Sequence, residues 1–319
     1  MLYSYKDILL KHNKSVVESR SLCDTSATLG KHTFDTPVVA ANMQSLITPE
    51  ICKIFDENNW FYVYHRINGT EDVLKFAQSA NKTFNITSIS IGVTDDWVHL
   101  LLKLHSLGIK IDYITVDVAL SYNDNILQVL NTIKNWHPDA YVICGNGSTK
   151  EWVSWIKSLG LVDCVKVGIG VSNACRTRQF TGFGSTTVSS LLECAAEAEA
   201  DNEIDVMSDG GITVEGDTIW VGDVAKALVL GADFVMSGAL FSRCIDSPSL
   251  VHGYFGNASA RAKQHSHHVE GTTVTVASNG LTIKETMKLI KDSLRSSISY
   301  AGATNIHGLK LKTEWDYVK

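Results

Sequence analysis

The chain has 319 residues, 45% of them apolar and 19% charged, enough for a large core and for one α/β barrel with extensions. A formal net charge of -6 argues against a nucleic-acid surface, and no apolar run approaches the roughly 20 residues needed to span a bilayer. The 7 cysteines are odd in number and form no CxxC, which argues against a disulfide framework or a zinc ribbon.

The opening "MLYSYKDILLKHNK" has neither a long apolar stretch nor a small-residue cleavage site, so a cytoplasmic location is expected. The first predicted strand is "TPVVAANM", Thr36 to Met43. A helical stretch, "PEICKIFDEN", leads to a second at Phe61 to Ile67. Further strands are predicted at Thr87 to Val93, Tyr113 to Ala119, Ala140 to Asn146, Cys164 to Gly170, Ile204 to Gly211 and Phe234 to Ala239. Helical patterns such as "WVHLLLKLHSLG" and "NILQVLNTIKNW" separate them. Eight apolar strands alternating with helices predict parallel βαβ units, and at this length a closed (β/α)8 TIM barrel in a single domain. No GxGxxG follows an early strand, which weakens the doubly wound alternative. Past the eighth strand come "KQHSHHVEG" and an amphipathic helix, "IKETMKLIKDSLRSSISY". His265, His267 and His268 lack a carboxylate or cysteine at ligand spacing, so they read as a solvated loop before a metal site.

Barrel chemistry sits at the carboxyl ends of the strands. Those ends carry Asn42, His65, Arg66, Gly92, Asp117, Asn146, the Gly168 to Cys175 loop, Asp209 with Gly210 and Gly211, and Ser237 with Gly238. Cys175 lies just past the sixth strand with Arg176 and Arg178 close behind. Position and charge suit a nucleophile, and a small buried residue equally. "SDGGI" and "MSGA" follow the seventh and eighth strands, where backbone N–H groups of barrels often hold a phosphate.

These segments, with "GDVAKAL", "YFGNAS", "VEG", "SSISYAGAT" and the early "ESRSLCDTSATLGKHTFDTPVVAANMQ", resemble the IMP dehydrogenase/GMP reductase family over nearly the whole chain. The resemblance implies a (β/α)8 barrel, a homotetramer, and NADPH-dependent conversion of a purine nucleoside monophosphate, GMP to IMP with release of ammonia. It implies Cys175 as nucleophile, and Thr177 and Glu270 as the pair assisting the leaving amine. Asp209 would hold the ribose, and Gly210, Gly211, Ser237 and Gly238 the phosphate. Asn257, Ala258, Ser259 and Gly271 would line the nucleotide. Asp117, Val118 and Ala119, with Tyr300 and Gly302, would face the cofactor, and Ser19 and Arg20 a neighbouring subunit's cofactor. Carbonyls of Gly170, Ser172 and Cys175 would hold a monovalent cation, usually K+.

The reductase branch fits better than IMP dehydrogenase, because Ile67 to Thr87 leaves no room for an inserted CBS pair and Tyr254 to Glu270 none for a long flap. The chain also departs from the family. Its cysteine loop has Val171 and Ser172 where most members have proline and glycine, and "DVALSYND" has Leu120 and Ser121 where a glycine is usual. An arginine stands in some members at His267. An extra stretch, "VEGDTIW" (Val214 to Trp220), follows "DGGIT". An altered preference such as dGMP, or nucleotide binding without turnover, would each accommodate these differences.

Overall fold

A computed structural model of the chain describes residues 3–172, 174–201, 203–263 and 269–318. The sequence expectation about His265, His267 and His268 lies outside the described residues, as does Asn173.

The centre is a seven-stranded parallel sheet. Its strands are β1 (Val38–Ala40), β2 (Ser88–Ile91), β3 (Tyr113–Asp117), β4 (Tyr141–Gly147), β5 (Cys164–Val167), β6 (Asp205–Asp209) and β7 (Phe234–Ser237). The spatial order is β1-β7-β6-β5-β4-β3-β2, so chain neighbours pair from β2 to β7, β1 pairs with β7, and the ends of the curl are β1 and β2. β2, β5 and β7 are buried along their whole length, as strands covered on both faces must be. The crossovers are helical: α1 (Pro49–Glu57), α2 (Thr70–Thr83), α3 (Asp95–Ser106), α4 (Leu127–Trp136), α5 (Lys150–Leu159), α6 (Thr187–Glu199) and α7 (Asp223–Val229). Thr48 and Thr149 cap α1 and α5 by accepting the Ile51 and Trp152 amides. After β7 come α8 (Ile283–Tyr300), opened by a Thr282/Glu285 capping box, and α9 (Ile306–Lys312). No helix of the described residues is long and apolar enough to cross a membrane.

The second predicted strand, Phe61 to Ile67, is corrected. Phe61 to His65 is buried but joins no ladder, touching β2 through a single bridge between Tyr64 and Ile89. Among the described residues no backbone hydrogen bond ties it to β1. Its aromatic residues hold it by ring packing instead: Tyr64 stacks on Phe76 at 3.9 Å, and Phe61 lies 4.8 Å from Tyr113. Aromatic content that reads as strand propensity is serving side-chain contacts.

The two ends of the sheet differ. At the amino end, Phe34 from the hairpin of Ala27–Leu29 and His32–Phe34 packs on Phe61, Tyr113 and Phe234 at 5.3, 6.1 and 6.0 Å. That aromatic plug leaves the carboxyl end for chemistry.

Candidate active site

Beyond β5 the chain turns through Gly168 and Gly170 to Cys175, whose N–H donates to the Ser172 carbonyl at 3.0 Å. A distant segment closes against this loop. The Arg176 N–H donates to the Glu270 carbonyl (2.6 Å) and the Thr272 N–H to the Ala174 carbonyl (3.0 Å), an antiparallel bridge centred on Cys175 and Gly271. The bridge sets three side chains in a row. Thr177 Oγ1 donates to Glu270 Oε2 at 2.8 Å and lies 3.2 Å from Cys175 Sγ. With its one proton directed at the carboxylate, the hydroxyl accepts from the thiol. The row is a proton path between sulfur and carboxylate. The neighbouring arginines are not part of it: Arg176 is exposed, and the Arg178 guanidinium donates to the Ser185 carbonyl.

A second centre is ionic and deeper. Lys166, only 2% exposed in the middle of β5, reaches the ends of the adjacent β6 and of β3, one strand beyond β4. Its Nζ lies 2.6 Å from Asp209 Oδ2 on β6 and 3.3 Å from Asp117 Oδ1 on β3. Asn146 Nδ2, on β4, donates to the same Asp209 oxygen (2.8 Å) and to the Gly168 carbonyl (2.6 Å). Arg66 Nε donates to the Asp117 carbonyl at 2.8 Å and sits 3.6 Å from Oδ2. Burial pushes the Asp117 carboxyl up, but Lys166 and Arg66 outweigh it and hold the group below the ordinary range. For Lys166, burial favours the neutral amine, and Asp209 and Asp117 reverse that and keep it charged.

Two adjoining cavities meet at Cys175 and Asp209, of about 240 and 330 Å³. The first runs past Gly210, Gly211, Ser237 and Gly238 to Tyr254 and Val274. Gly211 has φ +80°, and a Cβ there would strike Thr187; a Cβ on Gly238 would strike the Tyr254 hydroxyl. Within the described residues neither the Gly211 nor the Gly238 amide donates a hydrogen bond. Two amides without a backbone partner, on glycines that line a cavity, suit the oxygens of an anion. Tyr254 lies 3.2 Å from Ser172 Oγ, and burial raises its hydroxyl to about 12, so it stays protonated.

The second cavity is lined by Arg66, Asp117, Val118, Ala119, Thr177, Asn257, Ala258, Glu270 and Gly271. Asn257 Nδ2 lies 3.3 Å from Asp117 Oδ2, while its Oδ1 is buried without a partner, an acceptor left for a ligand. Gly170 and Ser172 line both cavities. Ser259 lies behind the wall, buried, accepting the Ala262 amide at 3.2 Å. Ser19, Arg20, Tyr300 and Gly302 lie elsewhere. Arg20 Nη1 donates to Ser296 on α8 and the Asn13 N–H to the Tyr300 carbonyl; Ser19, Arg20 and Tyr300 are exposed and Gly302 is buried.

The sequence reading missed Lys166 and Tyr254. The signal for Lys166 was a lone charge between apolar residues in "CVKVGIG", a pattern a buried strand tolerates only where carboxylates wait. Tyr254 carried no local signal.

Comparison with known proteins follows the same lines. A model of the IMP dehydrogenase / GMP reductase domain matches residues 2–318. A protein named GMP reductase from Helicobacter pylori (strain G27) is 35% identical over 328 aligned residues, spanning 100% of this chain and 97% of its own. GMP reductases of Bacillus subtilis (strain 168) and Lysinibacillus sphaericus (strain C3-41) are 36% and 37% identical, each covering 97% of this chain and 94% of theirs.

Proposed function

The chain belongs to the IMP dehydrogenase/GMP reductase family, and from that membership we propose that it is a GMP reductase, taking GMP or a close analogue such as dGMP to IMP and ammonia. The observation that carries the reading is the Cys175–Thr177–Glu270 row at the junction of the two cavities.

The nucleotide occupies the first cavity, its phosphate against the Gly211 and Gly238 amides and its ribose hydroxyls donating to Asp209, an acceptor held in place by Lys166 and Asn146. Cys175 Sγ adds to C2 of the purine and hands its proton through Thr177 to Glu270. The 2-amino group takes a proton from the same pair and leaves as ammonia, giving a thioimidate on Cys175. NADPH, when bound, supplies the hydride that replaces the amino group at C2. Cys175 then departs as a thiolate and regains a proton that the Thr177–Glu270 pair takes up from solvent. Arg66, Asp117, Val118, Ala119 and the unpaired Asn257 Oδ1 fit a polar, hydrogen-bonding cofactor in the second cavity.

The wider reading includes three further parts. The curled sheet is that of a (β/α)8 barrel forming one domain with a C-terminal flap and helix, the buried Phe61 to His65 stretch filling the place between β1 and β2 without pairing as a strand. In a cytoplasmic homotetramer Tyr300 and Gly302 serve the cofactor side and Ser19 and Arg20 a neighbouring subunit's cofactor, with Arg20 bonded to the helix that Tyr300 ends. K+ binds the carbonyls of Gly170, Ser172 and Cys175; the Ser172 carbonyl accepts the Cys175 amide and keeps one lone pair.

Following NADPH absorbance with GMP and dGMP, in potassium and in sodium buffer, tests the reading. NADPH consumption matched by ammonia release supports it. Reduction of NAD+ on adding IMP would indicate a dehydrogenase, and nucleotide-dependent thermal stabilisation without turnover a binding protein.

A further inference from the structure

The extra stretch after β6 folds as a small hairpin, Val214–Glu215 paired with Thr218–Ile219. Its base is anchored: the Trp220 N–H donates to the Thr213 carbonyl (3.0 Å) and the Thr213 N–H to Asp223 Oδ2 (2.8 Å). Its tip is gripped by Arg243, whose Nη1 lies 3.1 Å from Asp217 Oδ1 and whose Nη2 donates to the Gly216 carbonyl at 3.1 Å. The Arg243 side chain is 14% exposed and that of Asp217 91%.

Val214, Ser242 and Arg243 line the cavity that holds Gly211, Ser237 and Gly238. Among the described residues lining it, Asp209 and Arg243 carry the only formal charges. Asp209 is anionic, so a phosphate dianion resting on neutral amides finds one cation within the wall, Arg243. An arginine already held by two contacts and largely buried loses little entropy on taking two phosphate oxygens.

Resting on the nucleotide reading above, we propose that Arg243, braced by the inserted hairpin, is the cation that binds the substrate's 5′-phosphate and selects a nucleoside monophosphate over the nucleoside.

Calorimetric titration of GMP and of guanosine into the full chain, as wild type, Arg243→Ala and Arg243→Lys, tests this. Arg243→Ala is expected to weaken GMP binding about 10- to 100-fold. It leaves guanosine affinity unchanged, and Arg243→Lys recovers part of the loss. The GMP loss shrinks as salt rises. Wild-type affinity for GMP in Arg243→Ala, or equal losses for GMP and guanosine, overturns the proposal while leaving the reductase reading intact. Failure of the wild type to bind either compound would instead count against that reading itself.

Discussion

Lys166 and Cys175 border the same cavity, yet they are held by different means. Lys166 sits inside a strand, and its partners Asn146 and Asp209 come from the strands on either side and Asp117 from the strand beyond β4, so sheet register fixes the cluster. Cys175 sits on a loop, and its partner Glu270 arrives from a segment far along the chain through backbone bonds between two irregular stretches. Buried charge belongs where geometry is rigid, because an ion taken from water must keep its counter-ions. Bond-making groups belong where substrate enters, and there the alignment depends on a closure that a strand does not provide.

The sharpest way to separate the two centres is to remove one atom from each. Cys175→Ala should cut turnover roughly 10⁴-fold or more while GMP still binds and thermal stability holds, since only the nucleophile is lost. Parallel activity and binding measurements check this. Lys166→Met should do the reverse kind of damage. The buried Asp117 and the half-buried Asp209 lose their common cation, at about 3–5 kcal/mol of folding free energy read by urea unfolding. A change below about 1 kcal/mol would show that the cluster is not ionically coupled. Thr177→Val interrupts the row without touching either end and should lower kcat about 10²- to 10³-fold, with Thr177→Ser restoring most of it.

The smallest expected effect concerns the edge of the ionic centre. His65, buried and stacked 4.8 Å from Tyr64, is pushed down from 6.5 to about 4, chiefly by burial. Its Nδ1 accepts the Ile67 amide, as a neutral ring does. A depressed folded value means the contribution is complete above the unfolded value and is lost as pH falls from about 6.5 through 4. Wild type should therefore lose up to about 3 kcal/mol more than His65→Gln between pH 7 and 4, read from unfolding at each pH.

The legibility of the sequence divides along the same line. Parallel strands announce themselves as apolar β-branched runs, so seven of them and the polar residues at their ends could be placed from sequence alone. Phe61 to His65 misled because aromatic packing and strand pairing favour the same residues. Cys175 was visible as a position but ambiguous as a role. Glu270, 95 residues further on, gives no local sign of lying beside it, and only the family resemblance joined the two. Lys166 went unread because its meaning depends on carboxylates from other strands. Tyr254 and Arg243 gain theirs from cavity walls that no spacing encodes.

The most direct test of the central claim is mass mapping of the cysteine peptides after acid quench of the enzyme turning over GMP with NADPH. The account predicts a nucleotide of GMP mass less ammonia attached to the peptide bearing Cys175, and absent in Cys175→Ala. Attachment at another cysteine, or undiminished ammonia release by Cys175→Ala, would contradict it.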